Sequence, residues 1–248
     1  MDELIAKIRE ASSVLFITGA GISADSGLPT YRGVGGLYEG TITAEGMTIE
    51  EALSARVFAR DPALTWRYIR QIEEASRGAE PNEAHEIIAL AERIKPRVIT
   101  LTQNVDGLHA RAGSENLIEI HGNVHRILCT SCARRRTVAD FSAFAELPRC
   151  GACGGVERPE IVLFGEALPR AELVQLDAEL KRGFDVVVSI GTSSAFPYIA
   201  EPVYRARMKS ALTVEINPGD TAVSEIVEYR LRMRSVVAMA RLRQAILA

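Results

Sequence analysis

The chain has 248 residues, which is enough for one large domain that carries a smaller inserted one. Its 29 Lys and Arg against 32 Asp and Glu leave a formal net charge of -3, which argues against a global attraction to nucleic acid or to an anionic membrane. The first residues lack a basic segment followed by an apolar one, and no apolar run reaches membrane-spanning length. We therefore expect a cytoplasmic protein with no membrane partner and with reduced thiols.

The apolar residues alternate between two patterns along the chain. Helical spacing occurs at 4–11, 83–93, 170–182, 198–208 and 236–247. Short continuous apolar blocks, typical of strands buried on both faces, occur at 14–17, 98–101, 186–190 and 212–216. Strands that alternate with helices predict an α/β fold with a Rossmann-like, doubly wound parallel sheet.

Two insertions interrupt this alternation. Residues 34–79 begin with a flexible glycine pair and then have the pattern of two helices broken near Asp61-Pro62. Residues 124–157 contain proline, glycine and cysteine and no strand-helix alternation. We predict that residues 1–33, 80–123 and 158–248 form the Rossmann-like domain. The helical insertion and the cysteine-containing insertion would together form a smaller domain.

All four cysteines lie in the second insertion, as two C-x-x-C pairs separated by 17 residues. The pairs are Cys129 with Cys132 and Cys150 with Cys153. This spacing is typical of a zinc ribbon, in which four thiolates surround Zn²⁺ and leave no position for substrate. A redox dithiol would need one such motif near a βαβ unit. The sequence therefore predicts a structural zinc site.

A glycine loop follows the first predicted strand. It has the pattern G-x-G-x-x-A from Gly19 to Ala24, as in the pyrophosphate-binding turn of dinucleotide-binding folds. The acidic residue that would bind ribose on the second strand is not evident. From the loop alone, a nucleotide site and a tight structural turn both remain open.

Several polar motifs follow in order along the chain. They are TQNVDGLH at 102–109, IHG at 120–122, FGE at 164–166, GTS at 191–193 and INP at 216–218. With the loop GAGIS at 19–23 and the four cysteines, this set resembles the signature of the sirtuins, the NAD-dependent protein-lysine deacylases. The resemblance covers nearly the whole chain. It implies an NAD domain and a zinc-bearing small domain, with the acyl-lysine peptide in the cleft between them.

The resemblance also implies roles for individual residues. NAD contacts are implied for Gly19, Ala20, Gly21, Ile22, Asp25, Tyr31, Arg32, Gln103, Asn104, Asp106, Gly191, Thr192, Ser193, Asn217 and Ser235. His121 would be the general base, because histidine titrates close to working pH and its neutral imidazole can accept a proton. Asn104 would be the second catalytic residue. The peptide cleft would be lined by Val162 and Phe164. Free lysine, nicotinamide and O-acyl-ADP-ribose would be the products.

The other three histidines receive structural interpretations. We expect His85 to be solvated on a polar helix face and His109 to pack locally. His125 would be a surface residue or a spare zinc ligand.

The acyl preference depends on one helix of the first insertion. Sirtuins that remove negatively charged acyl groups resemble one another in a Tyr-x-x-Arg pair on this helix. Counted from Trp66, the positions of that pair fall on Ile69 and Ile72, which share a helix face. Tyr68 and Arg70 are two residues apart and do not share one. We therefore predict an apolar pocket that accepts acetyl or longer uncharged acyl groups in preference to succinyl.

Other functions use some of the same motifs. A sirtuin-like ADP-ribosyltransferase would bind NAD in the same loop and modify a protein side chain, whereas a non-enzymatic zinc-ribbon module would only sense NAD. The run Arg134-Arg135-Arg136 suggests a nucleic-acid contact, but the acidic total and the lack of interleaved aromatic residues favour a solvated ribbon face. No motif specifies an oligomeric state.

Overall fold

A computed structural model describes residues 2–30 and 42–248 of the chain. The strands within these ranges are β1 (Ser13–Thr18), β2 (Arg97–Thr102), β3 (Leu117–Glu119), β4 (Gly122–Cys129), β5 (Arg135–Thr137), β6 (Glu157–Ile161), β7 (Val186–Ile190), β8 (Leu212–Ile216) and β9 (Tyr229–Leu231). The helices are α1 (Asp2–Glu10), α2 (Ala20–Ser23), α3 (Ile49–Ala52), α4 (Ala55–Arg60), α5 (Pro62–Ser76), α6 (Glu83–Ile94), α7 (Leu108–Arg111), α8 (Arg170–Arg182), α9 (Pro197–Met208) and α10 (Ser235–Ile246). Within the same ranges, no helix combines the length and the apolarity that a membrane span requires.

The main sheet has six parallel strands in the order β3-β2-β1-β7-β8-β9. The chain builds one half outward from β1 to β3 and then crosses over to build the other half from β7 to β9. This is the strand order of a doubly wound dinucleotide-binding fold, so the α/β prediction is confirmed. The order reverses between β1 and β7, and such sheets bind ligands at the carboxyl ends of the strands near that point.

The four predicted strands are confirmed because their continuous apolar runs are buried on both faces of the sheet. Phe16 and Val188 pack in one core with residues of α1, α6 and α10. Leu15 and Val187 pack in a second core with residues of α8 and α9. Burying each such side chain stabilises the fold by about 1.5–3 kcal/mol. The five helices predicted from apolar spacing are also present, with ends that differ by at most two residues.

A smaller layer combines residues of both insertions. Strands β5, β4 and β6 form an antiparallel sheet, and α3, α4 and α5 pack with it in a third core. Trp66 of α5 lies with its ring centroid 5.3 Å from that of Phe141 and donates a 2.8 Å hydrogen bond to the carbonyl of Glu157. The helical insertion and the cysteine-containing insertion therefore share one core.

The helix break predicted near residue 61 is present, with one addition. Asp61 accepts a hydrogen bond from the N–H of Leu64 at 3.1 Å, and Pro62 is the first residue of α5. The segment before it, predicted as one helix, is divided into α3 and α4. The division occurs because Ser54 caps α4 by accepting a hydrogen bond from Val57.

Candidate active site

A cleft of about 990 Å³ opens at the carboxyl ends of the parallel strands, where the smaller layer faces the main sheet. Loops that follow β1, β2, β7 and β8 line it on one side, and residues of α5 and of the segment after β6 line it on the other. This is the location that the strand order predicts for a ligand.

Two glycine loops contact each other on the sheet side of this cleft. The N–H of Gly21 donates a 2.8 Å hydrogen bond to the carbonyl of Gly191. A Cβ on Gly21 would lie 2.6 Å from the Cα of Gly191, and Gly191 itself has a φ of +58°. The contact between the two loops therefore requires glycine at both positions, and both line the cleft.

Gln103 and Asn104 follow β2 and line the same cleft. The amide nitrogen of Gln103 donates a 2.8 Å hydrogen bond to Oγ1 of Thr192. The amide nitrogen of Asn104 donates to the carbonyl of Gly19 at 3.1 Å and to Oγ of Ser23 at 3.2 Å. These bonds fix the loop after β2 to the loops after β1 and β7.

Asp106 lines a smaller cavity that adjoins the cleft. Its Oδ2 accepts a 2.8 Å hydrogen bond from Oγ of Ser23, and its Oδ1 accepts one of 2.9 Å from the N–H of Leu108. Burial raises the pKa of Asp106, while these two bonds act in the opposite direction. The carboxylate is therefore held by donors from the end of α2 and the start of α7.

The expectation of a solvated His85 is wrong. The side chain is fully buried, and its Nδ1 accepts a hydrogen bond from the N–H of Asn82 at 3.3 Å. Its Nε2 lies 3.5 Å from Oγ of Ser23, and its ring centroid lies 4.8 Å from that of His109. Burial lowers the pKa of His85 to about 4 and that of His109 to about 3. Both imidazoles are therefore neutral near pH 7, and His109 packs locally as expected.

His121 lies two residues after β3, in the cleft. Its Nδ1 lies 3.1 Å from the carbonyl oxygen of Gln103, and its Nε2 lies 2.8 Å from Oη of Tyr198. Burial lowers the pKa of His121, and the bond to the Gln103 carbonyl opposes that shift. A neutral imidazole in such a cleft can act as a general base at neutral pH.

Asp25, Asn217 and Ser235 contribute further polar groups to the cleft. One carboxylate oxygen of Asp25 pairs with Arg234, and the other is buried and meets no donor among the described residues. Ser235 donates a 3.1 Å hydrogen bond to the carbonyl of Gly21. An unpartnered carboxylate oxygen beside two glycine loops suits a ligand that carries hydroxyl groups, such as the ribose of a dinucleotide.

The opposite wall of the cleft is apolar. Ile69 and Ile72 of α5 line it, together with Val162 and Phe164 of the segment after β6. Tyr68 is bonded to Glu45. Arg70 donates a 2.8 Å hydrogen bond to the carbonyl of Ala145 and also contacts the carbonyls of Phe141 and Glu146. Neither Tyr68 nor Arg70 is among the residues that line the cleft.

The structure brings most of the predicted site residues to this one cleft. They are Gly19, Ala20, Gly21, Asp25, Gln103, Asn104, His121, Gly191, Thr192, Ser193, Asn217, Ser235, Ile69, Ile72, Val162 and Phe164. Ile22 is instead fully buried in the core beneath the loop, and Asp106 lies in the adjoining cavity. Tyr31 and Arg32 fall outside the described residues.

Phe196 and Tyr198 also line the cleft, although the sequence did not single them out. Their rings stack with centroids 5.3 Å apart, and each meets the edge of the His121 ring at 5.9 Å. The available signal was a pair of aromatic residues a few positions after the GTS motif. The importance of that pair becomes evident only when the start of α9 is placed beside His121.

The four cysteines meet at the edge of the small sheet. Their ligand atoms all lie within 4.8 Å of one another, with 3.5 Å between the sulfurs of Cys129 and Cys153 and 3.8 Å between those of Cys132 and Cys150. Four sulfurs about 2.3 Å from a tetrahedral Zn²⁺ would lie about 3.8 Å apart. The cysteines are therefore positioned to bind zinc, and His125 is not part of their cluster.

The family model described as "Sir2 family" matches residues 19–196. The chain is 48% identical over 235 residues to the NAD-dependent protein deacylase 2 of Pseudomonas aeruginosa, covering 94% of this chain and 91% of that protein. It is 39% identical over 239 residues to the NAD-dependent protein deacylase of Pyrococcus furiosus, covering 94% and 92%.

Solved structures with the same fold include ligand complexes. One is a complex of a Sir2 homologue with NAD, at a TM-score of 0.89 and 34% identity, covering 99% of this chain and 93% of that one. Another is a Sir2 variant with a deacetylated p53 peptide and 3'-O-acetyl ADP-ribose, at a TM-score of 0.87 and 29% identity, covering 98% and 97%.

Proposed function

Because the chain belongs to the Sir2 family, we propose that it is an NAD-dependent protein deacylase that transfers the acyl group of an acyl-lysine side chain to ADP-ribose. The products would be free lysine, nicotinamide and O-acyl-ADP-ribose. The observation that carries this proposal is the position of His121, whose pKa burial lowers, in a cleft that also contains two abutting glycine loops and an apolar wall.

NAD is a substrate in this reaction, and loss of its nicotinamide supplies an electrophilic ribose carbon for the acyl oxygen. The residues of the chain bind and orient NAD and the acyl-lysine, and they exclude water from the reacting groups. The glycine loops after β1 and β7 allow the backbone to approach the phosphates closely. Asp25, Asn217 and Ser235 provide polar groups for the adenosine part, and Asn104 and Asp106 for the nicotinamide part.

His121 would act after nicotinamide has left. Its Nδ1 is fixed by the carbonyl of Gln103, so that Nε2 carries the basic lone pair. A ribose hydroxyl that loses its proton to this base can attack the acyl carbon, whose oxygen is by then bonded to the ribose. Departure of the lysine amine and addition of one water molecule then give free lysine and O-acyl-ADP-ribose. General base catalysis of this kind contributes about 10²–10⁴-fold to the rate.

The acyl group would lie against the apolar wall. Ile69 and Ile72 present hydrocarbon where a charged acyl group would need a cation, and burying an unpaired carboxylate is costly. Tyr68 and Arg70, which lie on the same helix, are bonded elsewhere. We therefore propose that acetyl and longer uncharged acyl groups are preferred to succinyl.

The cysteine cluster would bind one structural Zn²⁺. All four ligands are thiol groups, and the N–H groups of Cys132 and Ser131 lower the pKa of Cys129. Such a shell leaves no site for substrate, so the metal would stabilise the small layer and take no part in acyl transfer.

Mass spectrometry of one lysine peptide tests the proposal. The peptide is offered in acetyl, longer acyl and succinyl forms, with and without NAD, to the wild-type protein and to His121→Ala. NAD-dependent loss of the acyl group with formation of O-acyl-ADP-ribose, slowed about 10²–10⁴-fold in the variant, is the expected result. Label from NAD on protein without deacylation would instead favour ADP-ribosyl transfer. Tight NAD binding with no turnover would favour a sensing module.

A further inference from the structure

Tyr198 contacts the ring nitrogen through which His121 would act as a general base. The Oη of Tyr198 lies 2.8 Å from Nε2 of His121, and both residues line the cleft. On the other side of the ring, Nδ1 lies 3.1 Å from the carbonyl oxygen of Gln103. The two ring nitrogens therefore face partners of different chemistry.

The partners decide where the protons are. A carbonyl oxygen can only accept a hydrogen bond, so Nδ1 of His121 carries the N–H and donates to Gln103. A neutral imidazole has one N–H, so Nε2 is the acceptor and the hydroxyl of Tyr198 is the donor. The basic lone pair on Nε2 of His121 therefore accepts a hydrogen bond from the hydroxyl of Tyr198.

We propose that Tyr198 relays the proton that His121 accepts during acyl transfer, a step that rests on the proposed function. The ribose hydroxyl gives its proton to Oη of Tyr198 while the original Tyr198 proton moves to Nε2. The oxygen lone pair of that hydroxyl forms the bond to the acyl carbon. The acyl carbon is joined to the lysine nitrogen by a double bond once the acyl oxygen has bonded to the ribose, and the π electron pair of that double bond moves onto the nitrogen. Tyr198 ends neutral, and His121 ends as an imidazolium that still donates to Gln103.

The placement of Tyr198 favours a relay over a side chain that swings away. Tyr198 is the second residue of α9, directly after Pro197, and its ring stacks on Phe196 with an interplanar angle of 11°. Ile199 and Val203 of the same helix are buried in the core beneath the sheet. Moving Oη away from Nε2 would break the stacking on Phe196, whereas a proton can cross a 2.8 Å hydrogen bond with no ring movement.

Tyr198→Phe, which keeps the ring, tests the relay. We expect formation of O-acyl-ADP-ribose in a single turnover to fall about tenfold or more, because a positioned proton carrier is lost. Exchange of labelled nicotinamide into NAD, measured with acyl-peptide present, should stay at the wild-type level because nicotinamide leaves before this proton moves. Tyr204→Phe is the matched control, on the same helix and 47% exposed. Product formation at or above the wild-type rate in Tyr198→Phe would overturn the relay.

Two further measurements separate a relay from a purely structural effect. Removing the donor to neutral Nε2 should raise the pKa of His121 in an NMR titration of the free protein, which needs no turnover. An unchanged titration overturns the proposal at any level of activity. In the background of His121→Ala, adding Tyr198→Phe should slow product formation no further. If the wild type shows neither exchange nor product while the titration shifts as expected, the deacylase function fails and the shared proton of Tyr198 and His121 stands.

Discussion

Ser23 donates a 2.8 Å hydrogen bond to Oδ2 of Asp106, and this bond joins the end of α2 to the loop after β2. Ser23 in turn accepts hydrogen bonds from the amide of Asn104 and faces Nε2 of His85. One hydroxyl therefore organises a carboxylate, an amide and an imidazole at the cavity beside the cleft.

Replacing Ser23 by alanine should destabilise the ionised form of Asp106. A hydrogen bond to a charged group contributes about 1.5–3 kcal/mol, and without it the pKa of Asp106 should rise further above its usual range. We expect kcat/KM for NAD to fall at least about tenfold at neutral pH, with the acidic limb of the pH profile moved to higher pH. Ser26→Ala is the control, because the hydroxyl of Ser26 accepts a hydrogen bond from Asn82, whereas that of Ser23 bonds Asp106 and Asn104 directly. Equal profiles for the two variants would refute the role of Ser23.

The buried pair of His85 and His109 should make stability depend on pH. Burial lowers the pKa of His85 from 6.5 to about 4, so below pH 6.5 the unfolded chain binds a proton that the folded chain does not. The free energy of unfolding should therefore fall as pH decreases from about 6.5 towards 4, by about 2 kcal/mol between pH 7 and 5 from His85 alone. Urea unfolding at these two pH values measures it.

His85→Gln should reduce this pH dependence, whereas His125→Gln, outside the pair, serves as the control. A slope that is identical in His85→Gln and in the wild type would show that His85 is not the source. Because glutamine also keeps polar atoms near Ser23, the comparison concerns the change with pH rather than stability at one pH.

The sequence predicts a strand or a buried side chain well when residues nearby in the sequence determine it, and poorly when contacts between distant segments do. The strands at 186–190 and 212–216 are predicted to the residue because every position is buried and most of the side chains are apolar, the exceptions being Ser189, Thr213 and Glu215. The three-residue strands β3 and β9 are too short to show a period. The polar helix face around His85 predicts exposure to solvent, and only the contacts with Ser23 and His109, which are distant in sequence, bury the side chain.

If the cysteine cluster holds zinc, removing the metal should unfold the small layer and leave the main sheet folded. Trp66 reports this, because it is the chain's single tryptophan and its Nε1 donates to the carbonyl of Glu157, at the start of β6. We expect Cys129→Ser or a strong chelator to release zinc and to change tryptophan fluorescence, with far-UV circular dichroism largely retained. Restored fluorescence after zinc is added back to the chelated wild type completes the test. Fluorescence that is unaffected by complete metal loss would contradict the prediction.

The acyl preference can be tested by introducing the Tyr-x-x-Arg pair at the positions of Ile69 and Ile72. Ile69 and Ile72 line the cleft from one face of α5, and Ile69→Tyr with Ile72→Arg places a hydroxyl and a guanidinium there. Because a planar guanidinium binds a carboxylate through two parallel hydrogen bonds, we expect the ratio of kcat/KM for succinyl-peptide over acetyl-peptide to rise about tenfold or more. The matched control is Tyr68→Phe with Arg70→Met, which alters the same helix at side chains bonded to Glu45 and to carbonyls of 141–146. This control should leave the ratio unchanged, since neither residue lines the cleft. A wild-type enzyme that already prefers succinyl-peptide, or a ratio that responds to the control pair and not to the rebuilt pair, would show that the acyl group does not contact Ile69 and Ile72.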